Sequence, residues 1–437
     1  MSDATVIGLV VAAFAVLLLA GHYIHSVLLL AGVAGLVLLD GMAILTGLLG
    51  PQPFNRTAAY TLTTIPLFVL MAQFILQAGV VKDIFHIVHR ASRGRSGVLG
   101  GLTLVSGAML GAVSGSGVAT SASLGQVAVP ELRKHGFSAA LAGATAAAAG
   151  SLSGIIPPSI ILILYGVATE TPIGDLFMAA LIPGVMVTLV FIAVMVFHLR
   201  RHREELEELR SSAQATPSIG ARRLVTSLAV SALIIVVVFG GIYSGMVTPT
   251  EAGAVGAFAA FLAALALGKV NPSFMAASLL ETVKVTVMVM LILIGAQVFG
   301  RFVSLSLLPR KLIDFLAPVV ETPVLMLLIL ALVFFVLFMF IEGAAVILMS
   351  VPVVLPIIEV MGTDIVWFGV LIAMICTIGL ITPPVGLSVY AVAGASRISS
   401  DAIFRQAVGF AVVATVVVTT AMVAFPQVAT WLPSVLG

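Results

Sequence analysis

The sequence predicts an all-α polytopic membrane protein built from two inverted repeats, and three observations carry that prediction. Hydrophobic residues make up 61% of the 437 and charged residues 9%, about a third of the charged share of a soluble domain, so lipid must be the solvent. Long apolar runs such as Thr5–Ala20, Val185–Phe197 and Val324–Phe340 lack the alternation of barrel strands. A backbone in lipid must pair its own polar groups, which leaves helices. The punctuation of the first half also recurs 226 residues later: Pro130 with Pro356, Gly136 with Gly362, Pro157-Pro158 with Pro383-Pro384, and Asp175 with Asp401. Glycine and proline set backbone shape, so the repeat is one of geometry.

The elements follow in order. The N-terminus, MSDATV, has no basic region ahead of its first apolar run, which reads as a retained span and not a removed signal. In the first repeat, 1–198, spans are expected at 5–21, 24–42 and 57–79. An amphipathic charged segment, Lys82–Arg95, comes next. A small-residue hairpin at 97–132, a helix broken by the double proline at 137–170 and a closing span at 174–197 complete the half. Residues 199–223 form a solvated linker in which Arg200/Glu204, Arg201/Glu205 and Arg203/Glu207 stand four apart and pair weakly on a short helix. The second repeat, 224–437, answers with spans at 224–245, 250–268 and 274–299 and a charged segment Arg301–Phe315. Then come a hairpin at 322–359, a broken helix at 364–395 and a last span at 401–425.

The arms of the first hairpin meet at Ser114-Gly115-Ser116-Gly117. Charge decides whether they cross. With both hairpins re-entrant and the N-terminus outside, Lys and Arg at 82, 90, 93, 95, 133, 134, 200, 201, 203, 210, 222, 223, 269, 284, 397 and 405 fall inside. Only Arg56, Arg301, Arg310 and Lys311 fall outside, in accord with the positive-inside rule. Each half then crosses five times, an odd number, which inverts the second half.

Four pieces of irregular backbone are therefore expected near the midplane: tips at Ser114–Gly117 and Glu342–Ala345, and breaks at Ser153–Ser159 and Gly379–Gly386. Proline has no N–H and crowds the preceding turn, so carbonyls there lose their helical donors. Left unpaired in hydrocarbon they cost several kcal/mol each, and a dehydrated monovalent cation suits such oxygens, while helix N-termini favour an anionic solute. Symmetry suggests one cation site per half, with Ser114, Ser116 and Thr382 adding hydroxyls. Glu342 follows the uncharged run Val324–Ile341 and aligns with Ser116. An intramembrane carboxylate is a functional candidate, against the plainer reading of a span-end residue reaching water. Glu170, Asp175, Asp364 and Asp401 sit at expected span ends, and Glu251 after Thr248-Pro249-Thr250 reads as a helix-start acid. Trp367 and Trp431 fit interfacial anchoring. His86 and His89 have no third ligand in view, and the single Cys376 reads as buried packing. There is no Walker loop and no credible triad, so neither ATP hydrolysis nor covalent catalysis has support; an enzyme is not expected.

The segments SGSGVATSASLG, GIIPPSIILILYGV, PIGDLFMAALIPG and GLITPPVGLSVY closely resemble the large membrane subunit of tripartite ATP-independent periplasmic transporters, over essentially the whole chain. The stretch from Gly107 to Gly184 is the most specific part. The resemblance implies sodium-driven uptake of organic acids such as C4-dicarboxylates, sialic acid or other sugar acids, in a bacterial inner membrane, by an elevator motion of hairpins and broken helices. It implies a small membrane subunit and a periplasmic solute-binding protein as partners, and sodium as the only coupling ion, with no prosthetic group. Carried over by position, one sodium site involves Ser114, Gly117, Ser153, Ile156 and Pro158. The other involves Gly343, Ala345, Gly379, Thr382 and Val385, and the solute would meet Ser116, Glu342 and Ser159. Two departures stand out: Glu342 where the family favours Asp, and Ala344-Ala345 where hydroxyl residues are common. The small subunit is expected as a separate chain. Two other readings stay open, a stand-alone sodium- or proton-coupled carboxylate carrier and a membrane scaffold without transport.

Overall fold

Apolar sequence without alternation becomes helix throughout. A computed structural model describes residues 3–45, 57–80, 83–84, 91–92, 95–201, 232–234, 236–315 and 322–436, and among them there is no strand. The charged segment Lys82–Arg95 with His86 and His89, and the linker beyond Arg201, lie largely or wholly outside the described residues, as does the start of the span expected at 224–245.

The first half contains α1 (Asp3–Leu19), α2 (Ile24–Asp40), a 3-10 turn Tyr60–Thr63 running into α3 (Thr64–Ala78), α4 (Ser96–Ser114), α5 (Gly117–Lys134), α6 (Ala139–Ser151), α7 (Ile160–Thr169) and α8 (Ile173–Arg201). The second contains α9 (Pro249–Ala266), α10 (Pro272–Leu305), α11 (Leu308–Phe315), α12 (Pro323–Phe340), α13 (Gly343–Val360), α14 (Ile365–Gly379), α15 (Leu387–Ser396), α16 (Ser400–Ala424) and α17 (Gln427–Leu436). Among the described residues seven helical segments are long and apolar enough to cross a bilayer. The expected hairpin arms are α4/α5 and α12/α13, and the expected broken helices are α6/α7 and α14/α15.

Local chemistry explains the boundaries. Thr248 and Glu251 cap each other's backbone at the start of α9, the role expected of that acid. Asn271 accepts from Phe274 N–H ahead of Pro272, and Asp364 accepts from Trp367 N–H at 2.7 Å. Gly136 and Gly362, matched in the repeat, both close helices with positive φ, 88° and 63°, a conformation that glycine adopts without strain. Both double prolines carry a cis bond.

Several expectations need correction. Helix α10 runs on to Leu305, into the segment expected to be a separate amphipathic piece. Its sequence carries no breaker before Leu307, whose φ is +54°. Helix α8 likewise continues one turn past Phe197 to Arg201, since nothing there stops it. The C-terminal α17 was not anticipated. Trp367 is not an interfacial anchor: it is 3% exposed, in the first turn of a helix that is buried along its length, whereas Trp431 is 55% exposed.

Two packing groups result. Helices α1, α2, α3, α9 and α10 pack on one another through glycine seams. A Cβ on Gly32 would lie 2.7 Å from the Phe299 backbone nitrogen, and one on Gly295 would lie 2.7 Å from the His25 carbonyl, so α2 and α10 touch backbone to backbone. The hairpins, broken helices, α8, α16 and α17 form the other group. The groups meet mainly along α10 with α13 and α3 with α4.

Candidate functional site: where hairpins meet broken helices

The first break is assembled by small residues. Positions 142–151 read AGATAAAAGS and are buried throughout. This bare helix lets α4 and α5 approach until side chains are excluded. A Cβ on Gly107 would lie 2.4 Å from the Ala149 carbonyl, and one on Gly111 would lie 2.6 Å from Ser153 Cα. Helix α6 tightens into a 3-10 turn, Leu152–Gly154, and stops because Pro157 and Pro158 cannot donate. The chain restarts at Ser159, which caps α7.

The first hairpin tip sits on this break. A Cβ on Gly117 would lie 3.3 Å from Ser153 Oγ and 3.6 Å from the Gly150 carbonyl, and one on Gly115 would lie 3.2 Å from the Pro158 carbonyl. Ser153 Oγ donates to the Gly150 carbonyl at 2.9 Å. Of the first expected set, Gly117 and Ser153 are therefore gathered, with Pro158 beside the tip at Gly115. Ser114 closes α4, and its side chain lies outside the described set. The Ile156 side chain packs toward Gly184 of α8, so only its backbone is available here. Neutral hydroxyl and carbonyl oxygens beside a position that a Cβ would crowd suit a small hard cation, so this donor set fits sodium.

The second set is less gathered. A Cβ on Gly343 would lie 2.8 Å from Cys376 Sγ and 2.6 Å from Ile161, while one on Gly379 would lie 2.5 Å from Phe338 of the hairpin's first arm. Thr382 Oγ1 donates to the Ile378 carbonyl at 2.7 Å within its own break. Ala345 is fully buried, and Val385 is half-buried. Only backbone oxygens remain from most of these residues, as the Ala344-Ala345 departure suggested.

The three expected solute contacts also have local duties. Ser116 caps α5, accepting from Ala119 N–H at 3.4 Å. Ser159 Oγ donates to the Gly154 carbonyl at 2.6 Å and is fully buried. Glu342 is exposed, and its Oε2 accepts from the N–H groups of Ala344 at 2.9 Å and Ala345 at 3.3 Å, so the carboxylate caps its own helix.

The two broken helices touch. A Cβ on Gly154 would lie 2.7 Å from Thr377 Oγ1, and one on Gly117 would lie 2.9 Å from Leu380. The first tip and both breaks thus meet, and the second tip lies beside them against α7 and α14. Sequence reasoning missed Gly111, Gly150, Gly154 and Thr377, although the small-residue run at 142–151 was the signal for close approach. It also missed Ser121 on α5 and Ser388 on α15, fully buried hydroxyls without a hydrogen-bond partner, on helices that pack together.

A large cavity lies elsewhere. It measures about 1140 Å³ and opens between the two packing groups, among α3, α9 and α10 on one side and α7, α8 and α13 on the other. None of the expected ion or solute residues lines it.

Residues 11–428 match the family described as tripartite ATP-independent periplasmic transporter, DctM component. The chain is 30% identical to the sialic acid TRAP transporter large permease protein SiaM of Vibrio cholerae, over 95% of this chain and 96% of that one. It is 30% identical to the C4-dicarboxylate TRAP transporter large permease protein DctM of Pseudomonas aeruginosa, over 88% of each. In fold it is similar to the crystal structure of the YdaH transporter of Alcanivorax borkumensis, with a TM-score of 0.65, 14% identity, and coverage of 90% of this chain and 91% of that one.

Proposed function

This chain belongs to the DctM-component family of tripartite ATP-independent periplasmic transporters, and from that premise we propose that it imports an organic acid by sodium-coupled elevator movement. The observation that carries the reading is the meeting of two hairpin tips with two proline-broken helices. Backbone oxygens freed by the breaks, with Ser153 Oγ, would hold the ion at the first tip. Sodium supplies positive charge where the site has no basic side chain among Gly117, Ser153, Pro158 and their partners. The solute carboxylate would lie against the N-terminus of α5, where Ser116 leaves N–H groups available, more readily than at α13, where Glu342 occupies them.

The division into two packing groups supports the mechanical half of the proposal. Helices joined by backbone-to-backbone glycine seams would act as the fixed frame, and the hairpin group would slide against α10 and α3. Both halves have, in order, a helix pair joined at a tip, a pair joined at a double proline and a long closing helix. With five crossings each they would be inverted relative to one another, with the N-terminus in the periplasm of a bacterial inner membrane. Relatives bearing the names of sialic acid and C4-dicarboxylate permeases make a sugar acid or dicarboxylate the reasonable solute class. A small membrane subunit would extend the frame, and a periplasmic solute-binding protein would deliver the acid.

The test is uptake of a labelled organic-acid panel into proteoliposomes carrying this chain and its small subunit. Uptake is expected only with both an inward sodium gradient and the soluble protein. Uptake with sodium alone would replace the tripartite reading with a stand-alone carrier.

A further inference from the structure

The contact between the two broken helices seats the first break on the second half of the chain. Gly154 ends the 3-10 turn after α6, next in sequence to Ser153, and its carbonyl accepts from Ser159 Oγ at 2.6 Å. Thr377 is the one hydroxyl residue of α14, two positions before Gly379, and it is fully buried. Its Oγ1 donates to the Ala373 carbonyl at 3.0 Å. That bond satisfies the hydroxyl within its own helix and fixes its rotamer, so the oxygen is held in place. A Cβ on Gly154 would lie 2.7 Å from this oxygen, but 3.6 and 3.7 Å from Thr377 Cα and Cβ. The oxygen is thus the atom that fills the space a side chain at 154 would need. The first tip leans on the same stretch, since a Cβ on Gly117 would lie 2.9 Å from Leu380 Cδ1. The tip and the break on either side of Ser153 Oγ are both seated on Thr377 and Leu380 of the other half.

We propose that Thr377 is a positioning residue for the first ion site. Its fixed hydroxyl holds Gly154, and through it Ser153 and the freed carbonyls, in the shape that the ion requires. The proposal rests on the sodium reading given above. Thr377 acts through Gly154, as a spacer of set depth and not as a ligand, and a closely packed interior passes on a misfit of one methyl group. Removing the oxygen leaves a gap behind Gly154. Adding a methyl at 154 while the oxygen stays pushes the break away. Doing both exchanges oxygen for methyl and refills the space.

Thermal unfolding of the detergent-purified full chain, titrated with sodium chloride against choline chloride at constant ionic strength, tests this. A ligand of the folded state raises its stability with concentration, so a sodium dissociation constant is read without transport. That constant should rise about fivefold in Thr377→Ala and about tenfold in Gly154→Ala, yet lie within about twofold of the parent in the double variant, because the two sites share one space. Thr377→Ser, which keeps the oxygen, should also stay within about twofold. Gly154 does not have a positive φ, so alanine there tests space alone. Unchanged sodium constants in both single variants would overturn the proposal, even with lower sodium-free unfolding temperatures, which a merely structural contact would also give. Additive effects in the double variant would overturn it too. Thr377→Ala only removes atoms, so it decides the matter even where Gly154→Ala does not fold. If sodium fails to stabilise the parent, the sodium reading falls and this proposal with it, a result distinct from unchanged constants in the variants.

Discussion

Gly117 lacks a side chain at a place where any Cβ would press on Ser153 Oγ and touch the Gly150 carbonyl. If those oxygens hold the coupling ion, bulk at 117 displaces it. Gly117→Val is therefore expected to raise the sodium concentration for half-maximal uptake by about tenfold, ~1.4 kcal/mol, with Gly117→Ala between it and the parent. An unchanged sodium dependence in both would remove the ion from this tip. Ser153→Ala deletes one hydroxyl oxygen and a hydrogen bond worth about 1 kcal/mol, so a smaller shift of about fivefold is expected in the same assay. Glu342 poses a different question. Its carboxylate accepts from two backbone N–H groups, a duty that an amide oxygen also performs. Glu342→Gln should keep uptake within about threefold, while Glu342→Ala, which removes the cap, should lower stability by about 0.5–2 kcal/mol. Loss of uptake in a stable Glu342→Gln protein would instead assign the charge itself to the solute or the ion. The carboxylate was visible in sequence as an outlier in an apolar run. Its capping geometry was not, because sequence does not say where the helix restarts.

Among elements, the hairpins and broken helices were legible because proline and glycine act locally. A double proline ends a helix wherever it stands, and Ser-Gly-Ser-Gly turns a chain whatever surrounds it. The ends of α8 and α10 were misjudged for the converse reason: no local breaker marks them, and apolar sequence continues as helix until something stops it. The seam between α2 and α10 was not read at all. Gly32, Gly35 and Gly295 look like ordinary membrane glycines until Phe299, Phe302 and the His25 carbonyl are found where their Cβ atoms would be. Gly32→Val forces that seam apart. A loss of about 1–3 kcal/mol is expected from overpacking, seen as a lower unfolding temperature of the detergent-solubilised protein. An unaltered temperature would mean that the seam is looser than drawn.

For the whole molecule the question is whether the two groups slide. At their boundary a Cβ on Gly300 of α10 would lie 3.4 Å from Pro352 Cβ of α13, close to the separation that a disulfide spans. In a Cys376→Ser background, Gly300→Cys with Pro352→Cys should cross-link under mild oxidant and lose nearly all uptake, with recovery on reduction. Cross-linked protein that still transports would rule out relative movement at this boundary.

Composition alone determined that this chain lives in lipid as helices, since 9% charge cannot clothe a protein of this size in water. Punctuation by Pro and Gly determined where those helices break and that the pattern occurs twice, because both residues act through their own backbone. Tertiary structure alone decided what the breaks face. Gly117 against Ser153, Gly154 against Thr377, the burial of Trp367 and the cavity between the groups each join residues far apart in the chain. Such juxtapositions depend on how helices pack, and close packing is settled by the shapes of all the partners together. No local signal carries that information.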